Sequence, residues 1–284
     1  MTSHEADVQR ERMAEMWESV APGWGRQADR IQQMGLAVSA WMVEHLELVP
    51  GQRVLDLAAG PGDTGFLAAE LVKPGGTLIC SDASDAMLEV ARERAAQQGI
   101  SNVEFKRLDL EWIDLPTASV DAILCRWAVM LLVDPASALS ECRRVLRPGG
   151  RLAMAVWDEA QANPWAAVLQ GMLLDLGFIE PPQPGAAGMF ALGAPGRLEE
   201  MLRDAGFVDV VADLVPIMRD YEGIEDLVAE AADVSPGLSG VWSKLSAAQR
   251  QEVVDDLTAR TESFRDGERH LRLPGSSRVA LAQA

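Results

Sequence analysis

Basic residues, cysteines and long apolar runs are all scarce in this sequence. The 25 Lys and Arg residues stand against 43 Asp and Glu, giving a formal net charge of −18. Such a charge opposes binding to polyanions, so nucleic acids are not expected as partners. Cys80, Cys125 and Cys142 lack paired metal-ligand spacing, as do the His, Asp and Glu residues. We therefore predict buried free thiols and no bound metal.

No apolar run approaches the roughly 20 residues that a membrane span needs. The polar segment Met1–Arg12 has no signal-peptide core behind it, which predicts a cytoplasmic protein. What the sequence does have is ordinary globular composition, with 48% hydrophobic and 24% charged residues over 284 positions. One α/β domain with an added lid is the natural expectation for that length.

Apolar strand-like runs alternate with helical patterns from Gln52 onward, as in stacked βαβ units on a parallel sheet. The predicted strands are Arg53–Leu57, Thr77–Cys80, Val103–Leu108, Val120–Cys125, Arg151–Trp157, Phe207–Val215 and a short one near Ser276–Ala282. The predicted helices between the early strands are about Thr64–Val72, Ser84–Gly99 and Pro135–Leu146, and a later one spans Gly196–Gly206. The sequence therefore predicts a seven-stranded sheet flanked by helices.

The first 50 residues are predicted to be helical and precede the sheet. They form either a lid over a binding site or a packing helix that covers one sheet edge. Residues 51–284 then form the main domain, with helical insertions at about 158–195 and 222–265. The apolar inserted segments could face either a pocket or a second copy of the chain, so a homodimer is an open alternative.

The segment Val54–Gly65 is the most informative, because a buried strand leads directly into a glycine turn and a helix. The glycines match the dinucleotide pattern, in which a pyrophosphate sits on the helix N-terminus. However, Asp56 and Asp63 place carboxylates where that pyrophosphate would meet repulsion. A cationic ligand fits better, and S-adenosylmethionine carries both an ammonium and a sulfonium group.

Two further acids follow the second and third strands. Asp82 stands where nucleoside-binding sheets place a carboxylate that accepts hydrogen bonds from both ribose hydroxyls. At Asp109 an acid can accept from the adenine amino group while the amide of Leu110 meets a ring nitrogen. Either acid alone could be a helix cap or a turn former. Together with Asp56, they place an acid at three successive strand ends, which is a rarer arrangement.

These motifs, with Arg144–Gly150 after the fourth strand, resemble the class I S-adenosylmethionine-dependent methyltransferases, particularly the ubiquinone and menaquinone biosynthesis branch. The resemblance covers about Arg53–Trp157. It implies a Rossmann-like, mostly parallel sheet with a reversed last strand and the cofactor across the carboxyl ends of the central strands. The residues that we predict to bind the cofactor are Trp24, Asp56, Ala58, Gly60, Gly62, Asp82, Ala83, Met87, Asp109, Leu110, Cys125 and Arg126.

Two of these residues depart from the family pattern. Ala58 stands where the family usually has glycine, which suggests slightly tighter packing around the methionine part of the cofactor. Trp24 stands where relatives often carry tyrosine, and it offers an indole donor to the methionine end instead of a hydroxyl.

Methyl transfer is an in-line displacement, so catalysis needs mainly alignment and exclusion of water, and a dedicated base is optional. Arg126 could pair with an acceptor carboxylate, or form a structural ion pair with Asp56 or Glu111. His270 is the one candidate base near a sheet-end loop, and no catalytic residue is otherwise assigned. The predicted walls of the acceptor pocket are Trp17, Trp127, Trp157, Trp165, Met189 and Phe190.

The sequence thus predicts methyl transfer to oxygen, nitrogen or carbon of a small molecule, with S-adenosylhomocysteine as the second product. A nicotinamide-dependent oxidoreductase and a non-catalytic nucleoside-binding relative are the alternatives. The lid and insertions, which set specificity in this fold, carry no motif that identifies the acceptor.

Overall fold

Seven strands form one sheet in the order β3-β2-β1-β4-β5-β7-β6. The computed structural model describes residues 3–181 and 187–284. Strand β7 runs antiparallel to both of its neighbours, whereas β1 to β5 are parallel. The predicted seven-stranded sheet with a reversed last strand is confirmed. The strands are β1 (Arg53–Leu57), β2 (Thr77–Asp82), β3 (Val103–Arg107), β4 (Val120–Arg126), β5 (Leu146–Trp157), β6 (Val208–Tyr221) and β7 (Leu271–Gln283).

Helices flank the sheet and occupy the inserted segments. They are α1 (Ser3–His45), α2 (Asp63–Leu71), α3 (Asp85–Gln98), α4 (Pro135–Val145), α5 (Pro164–Asp175), α6 (Arg197–Asp204), α7 (Ile224–Val234), α8 (Pro236–Trp242) and α9 (Ala247–Thr261). Ser84 caps the start of α3 by accepting from the amide of Met87, and Gly99 ends that helix in the left-handed conformation, as its sequence predicts. The first inserted segment contains α5, and residues 182–186 of that segment lie outside the described residues.

Strands β5, β6 and β7 are longer than the sequence predicts. Strand β5 begins at Leu146, the predicted end of the preceding helix, instead of at Arg151. Strand β6 continues past Val215 to Tyr221, and β7 begins at Leu271 instead of near Ser276. Pro216 follows the predicted end of β6, and Pro274 precedes the predicted start of β7. However, β6 is an edge strand and Pro274 pairs only with β6, since β5 ends opposite Ser277. Proline is tolerated where one side of a strand has no partner.

The N-terminal segment is a single helix of 43 residues and not a set of shorter ones. Helix α1 packs mainly against α7, α3 and α2, and it buries Val38 and Met42 completely. Because it is long, α1 also contacts β4, β5, β6 and β7. Within residues 3–181 and 187–284, no helix is both long enough and apolar enough to cross a membrane.

Candidate cofactor site

The turn after β1 depends on its glycines for its own geometry. Gly60 and Gly62 have φ angles of +53° and +89°, which favour glycine because it has no Cβ. A Cβ on Gly62 would lie 2.3 Å from the Phe66 ring, and one on Gly65 would lie 2.5 Å from Asp56 Oδ2. A Cβ on Gly60, by contrast, would meet no atom within 4 Å. The turn is therefore tightly packed on its inner side and open at Gly60.

Asp56 lies beneath this turn and is almost fully buried. Its Oδ2 accepts a hydrogen bond from the amide of Gly65 at 2.8 Å. Burial raises the pKa of Asp56 to about 7, although the nearby Arg126 and the Gly65 amide act in the opposite direction. No Lys or Arg in the described part of the chain forms an ion pair with it. Asp56 is thus a buried acid whose charge lacks a paired cation.

Asp63 contrasts with Asp56, because two guanidinium groups neutralise it. Its carboxylate lies 3.2 Å from both Arg94 and Arg126, and its side chain is only 1% exposed. Asp63 therefore adds little uncompensated negative charge to the turn, and the repulsion of a pyrophosphate expected from the sequence rests mainly on Asp56. Arg126 also departs from expectation, since its partner is Asp63 and neither Asp56 nor Glu111. Glu111 instead pairs with Arg10 at 2.6 Å.

Asp82, at the end of β2, links the glycine turn to the start of α3. Its Oδ2 accepts from the amide of Gly60 and its Oδ1 from the amide of Ser84, both at 3.0 Å. Burial raises the pKa of Asp82, and these amides oppose the shift. Ala83 is half-buried and Met87 is buried beside this carboxylate in the chain.

Asp109, beyond the end of β3, is exposed. Its Oδ1 accepts a hydrogen bond from the amide of Glu111 at 2.8 Å. The Asp109 side chain therefore stabilises the turn that follows β3. The neighbouring Leu110 is buried. Because β3, β2 and β1 are adjacent, the structure brings Asp109, Asp82 and Asp56 to one edge of the sheet, on strands spaced about 4.8 Å apart.

Helix α1 crosses this edge and contacts each element that borders it. At its start, Arg10 pairs with Glu111 after β3. Glu18 accepts hydrogen bonds from Ser84 and Ala86 at the start of α3. Further along, Asp29 and Gln32 bind Arg94 of α3, while Ser39 bonds to Thr64 and Arg126.

Gly35 lets Arg126 approach α1, since a Cβ there would lie 2.4 Å from the Arg126 Nη1 atom. The contacts of Glu18, Ser39 and Arg94 were missed by the sequence reasoning. They join residues that are far apart in the chain, and neither helical nor strand periodicity reports such pairs.

Three predicted pocket residues form a stacked ladder at the ends of β4 and β5. The rings of Trp127 and Trp157 stack at 4.1 Å, and Trp157 meets Trp165 edge-to-face at 4.9 Å. The guanidinium of Arg126 lies 4.6 Å from the Trp127 ring centroid, and Arg219 lies 4.0 Å from that of Trp165. Cations therefore occupy both ends of the ladder. Trp127 has a φ of +57°, a rare conformation for a bulky residue that is often found at functional sites.

The remaining aromatic candidates lie elsewhere. Trp17 packs edge-to-face on Trp24 at 6.2 Å, and the Trp24 indole nitrogen donates to the carbonyl of Val234 at 3.0 Å. The structure thus gives the Trp24 donor a partner on α7 in place of the predicted cofactor contact.

Met189 and Phe190 are partly buried, and the adjacent Gly188 amide donates to the Met130 carbonyl just after β4. Cys125, at the end of β4, is fully buried.

His270 does not join the three acids. Ser277 of β7 pairs with Trp157, and His270 precedes Leu271, which lies about 20 Å farther along the strand. There His270 borders an open surface cavity of about 500 Å³ with Glu222, Asp266, Glu268 and Arg269. A role for His270 as the base is not supported by this position. Among the described residues, no group of His, Cys, Asp and Glu is arranged to hold a metal ion.

Residues 48–175 match a family model described as a methyltransferase domain. A ubiquinone/menaquinone biosynthesis C-methyltransferase of Teredinibacter turnerae is 32% identical over 53% of this chain and 61% of its own length. Nocamycin O-methyltransferase of Saccharothrix syringae is 29% identical over 74% of this chain and 79% of its own. An uncharacterized 37.1 kDa protein in transposon TN4556 of Streptomyces fradiae is 32% identical over 74% of this chain. The chain spans 59% of that protein's length.

Solved structures share the fold at low sequence identity. An S-adenosylmethionine-dependent methyltransferase from Aquifex aeolicus superimposes with a TM-score of 0.51 at 22% identity, covering 69% of this chain and 92% of its own. Phosphoethanolamine N-methyltransferase 2 of Haemonchus contortus, in complex with S-adenosyl-L-methionine, gives a TM-score of 0.53 at 18% identity. That match covers 86% of this chain and 52% of the other.

Proposed function

We propose that this chain is a class I S-adenosylmethionine-dependent methyltransferase that transfers the cofactor's methyl group to a small molecule. Its residues 48–175 match a methyltransferase domain, and a C-methyltransferase is 32% identical over 53% of the chain. One observation carries the proposal. Asp56, Asp82 and Asp109 lie at three adjacent strand ends beside the glycine turn. This arrangement suits the methionine, ribose and adenine parts of one cofactor.

The residues present fit such a cofactor in two respects. Gly60 faces open space, because a Cβ there would meet nothing within 4 Å, so a ligand can approach the backbone closely. Asp56 is a buried acid without an ion-pair partner among the described residues. A cationic methionine group above the turn would compensate its charge. When bound, S-adenosylmethionine supplies a methyl group activated by its sulfonium.

The chain's own contribution is then to bind, orient and exclude water. In this proposal Asp82 accepts hydrogen bonds from the ribose, and Asp109 with the Leu110 amide reads the adenine edge. Helix α1 covers this edge through Arg10, Glu18 and Ser39. Enclosure of this kind favours an in-line transfer, which depends on alignment and on a dry site. No base is assigned.

Oxygen is the acceptor atom to test first, with nitrogen and carbon as the other choices. The nocamycin O-methyltransferase alignment extends over 229 residues, so it reaches beyond the 48–175 domain, whereas the C-methyltransferase alignment covers 155. Incubation with methyl-labelled S-adenosylmethionine and a panel of enols, phenols, quinols and amines tests this choice. Label in the enols and phenols supports oxygen, and label only in amines or in a ring carbon contradicts it. Neither oxidoreductase activity nor a non-catalytic role finds support among the relatives.

The ribose assignment is tested with Asp82→Ala. We expect calorimetric titration with S-adenosylhomocysteine to show at least a tenfold loss of affinity, because charge-assisted hydrogen bonds to the ligand are removed. Asp85→Ala is the matched control, since Asp85 lies three positions later and its exposed carboxylate has only the exposed Arg107 as an ion-pair partner among the described residues. Unchanged affinity in a folded Asp82→Ala protein would contradict the assignment.

A further inference from the structure

Glu18 brings a carboxylate from α1 to the end of β2. Its Oε2 accepts a hydrogen bond from the hydroxyl of Ser84, and its Oε1 accepts from the amide of Ala86 at 3.2 Å. Glu18 is exposed, and no described Lys or Arg forms an ion pair with it. The carboxylate is therefore open to a ligand, and its charge has no paired cation.

Ser84 holds Glu18 next to Asp82. The amide of Ser84 donates to Asp82 Oδ1 at 3.0 Å, while the hydroxyl of the same residue donates to Glu18. Because both donors belong to one serine, the two carboxylates are held within reach of one small ligand. The position of Ser84 is fixed in turn, because its hydroxyl oxygen accepts a hydrogen bond from the amide of Met87 at the start of α3.

Asp82 already accepts hydrogen bonds from the protein backbone. Each of its oxygens accepts one backbone amide, from Gly60 and from Ser84. An ionised carboxylate has about four acceptor positions, so only about half remain for the two ribose hydroxyls. A second carboxylate at the same place would relieve this competition.

We propose that Glu18 is a second ribose-recognition residue, which accepts a hydrogen bond from one ribose hydroxyl of the cofactor while Asp82 accepts from the other. The proposal rests on the proposed function, because it assigns a further residue to the same cofactor site. It makes α1 more than a packing helix, since the bound ribose would then touch both the sheet and α1. It also adds negative charge where a nucleotide with a 2′-phosphate would bind, and so disfavours that ligand.

The test compares S-adenosylhomocysteine with its 2′-deoxy and 3′-deoxy ribose analogues by calorimetric titration. The proteins are the wild type, Glu18→Gln and the matched control Glu15→Gln, whose exposed carboxylate lies one turn earlier on the same helix. Glutamine keeps a carbonyl oxygen for the Ser84 hydroxyl, so the start of α3 retains its cap. We expect Glu18→Gln to bind S-adenosylhomocysteine about tenfold more weakly, as for loss of one charge-assisted hydrogen bond. Glu15→Gln should match the wild type.

The deoxy analogues decide between ligand contact and capping. If Glu18 meets one hydroxyl, the analogue lacking that hydroxyl binds Glu18→Gln and wild type equally well. An equal loss for all three ligands would mean that Glu18 only caps α3, and this result would overturn the proposal, as would no loss at all. A wild-type protein that fails to bind S-adenosylhomocysteine would instead contradict the proposed function itself.

Discussion

Asp56 is the residue whose charge state depends most on the fold. Burial raises its pKa to about 7, far above the value of about 3.9 in an unfolded chain. Because the folded-state pKa is raised, the favourable contribution of this group is complete below about pH 4 and is lost as the pH rises through 7. The cofactor site therefore keeps a buried acid at a cost in stability, which a cationic ligand would offset.

Replacing Asp56 with Asn tests that cost. Asparagine can still accept from the Gly65 amide but carries no charge. The free energy of unfolding of the variant, relative to that of the wild type, should therefore rise by about 2 kcal/mol from pH 5 to pH 8. Urea unfolding of both proteins at the two pH values measures the difference. A difference that does not change with pH would mean that Asp56 titrates as an ordinary surface acid.

Ala58 is a second position where a single residue works against the fold. Its φ of +49° is a left-handed conformation that costs an L-residue about 1 to 2 kcal/mol. The departure from the family's glycine therefore acts on the backbone, where the sequence suggested tighter packing around the cofactor.

Ala58→Gly should raise the free energy of unfolding by about 0.5 kcal/mol, after subtracting the greater entropy that glycine loses on folding. The control is Ala96→Gly at an exposed position of α3, which should lower the free energy of unfolding by up to about 1 kcal/mol. Chemical denaturation of the two variants and wild type gives both values, and a loss of stability in Ala58→Gly would contradict the account of strain.

At the level of elements, Asp63 joins α2, α3 and β4 through one buried carboxylate. Its partners Arg94 and Arg126 are only 11% and 8% exposed. Removing the shared acid is expected to be costly, because the buried Arg126 would lose its ion-pair partner and the buried Arg94 would keep only the exposed Asp29 among the described residues.

Asp63→Asn should therefore lower the free energy of unfolding by about 3 kcal/mol. Asp29→Asn is the matched control, because Asp29 pairs with the same Arg94 but is 96% exposed, and its loss should cost no more than about 0.5 kcal/mol. Urea midpoints of both variants make the comparison. Similar values for the two would show that Asp63 contributes no more than a surface pair.

The early elements could be predicted from the sequence because turns mark them clearly. Strand β1 matches its predicted range, and Ser84 and Gly99 mark the limits of α3. The acids Asp56 and Asp82 were predictable for the same reason, since each stands at or just beyond the end of an apolar run. The ends of β6 and β7 were not, because only the sheet order reveals that Pro216 and Pro274 lack a partner on one side.

The partners of the site residues were also beyond the sequence. Nothing local indicates that Arg126 meets Asp63, that Glu18 meets Ser84, or that the Trp24 indole is taken by Val234. Such contacts depend on where α1 crosses the sheet, which is a tertiary choice. For this reason the class of cofactor could be predicted from the sequence, whereas the contacts by which α1 covers the cofactor site could not.

For the whole molecule, charge is the common thread between sequence and proposed function. The net charge of −18 disfavours polyanions over the entire surface. The site adds Asp56, Asp82 and Glu18, none of which has an ion-pair partner among the described residues. The net charge of the chain and the acids of the site therefore both favour a cationic ligand over a dinucleotide. The cytoplasmic location and the homodimer stay predictions.

Calorimetric titration of the wild-type protein with S-adenosylmethionine, S-adenosylhomocysteine, NAD and NADP distinguishes a methyltransferase from a dinucleotide-dependent enzyme. We expect micromolar binding of the two sulfur ligands, because their cationic groups meet uncompensated acids, and no measurable binding of the two dinucleotides. Binding of NAD or NADP, or no binding of any of the four ligands, would contradict this expectation.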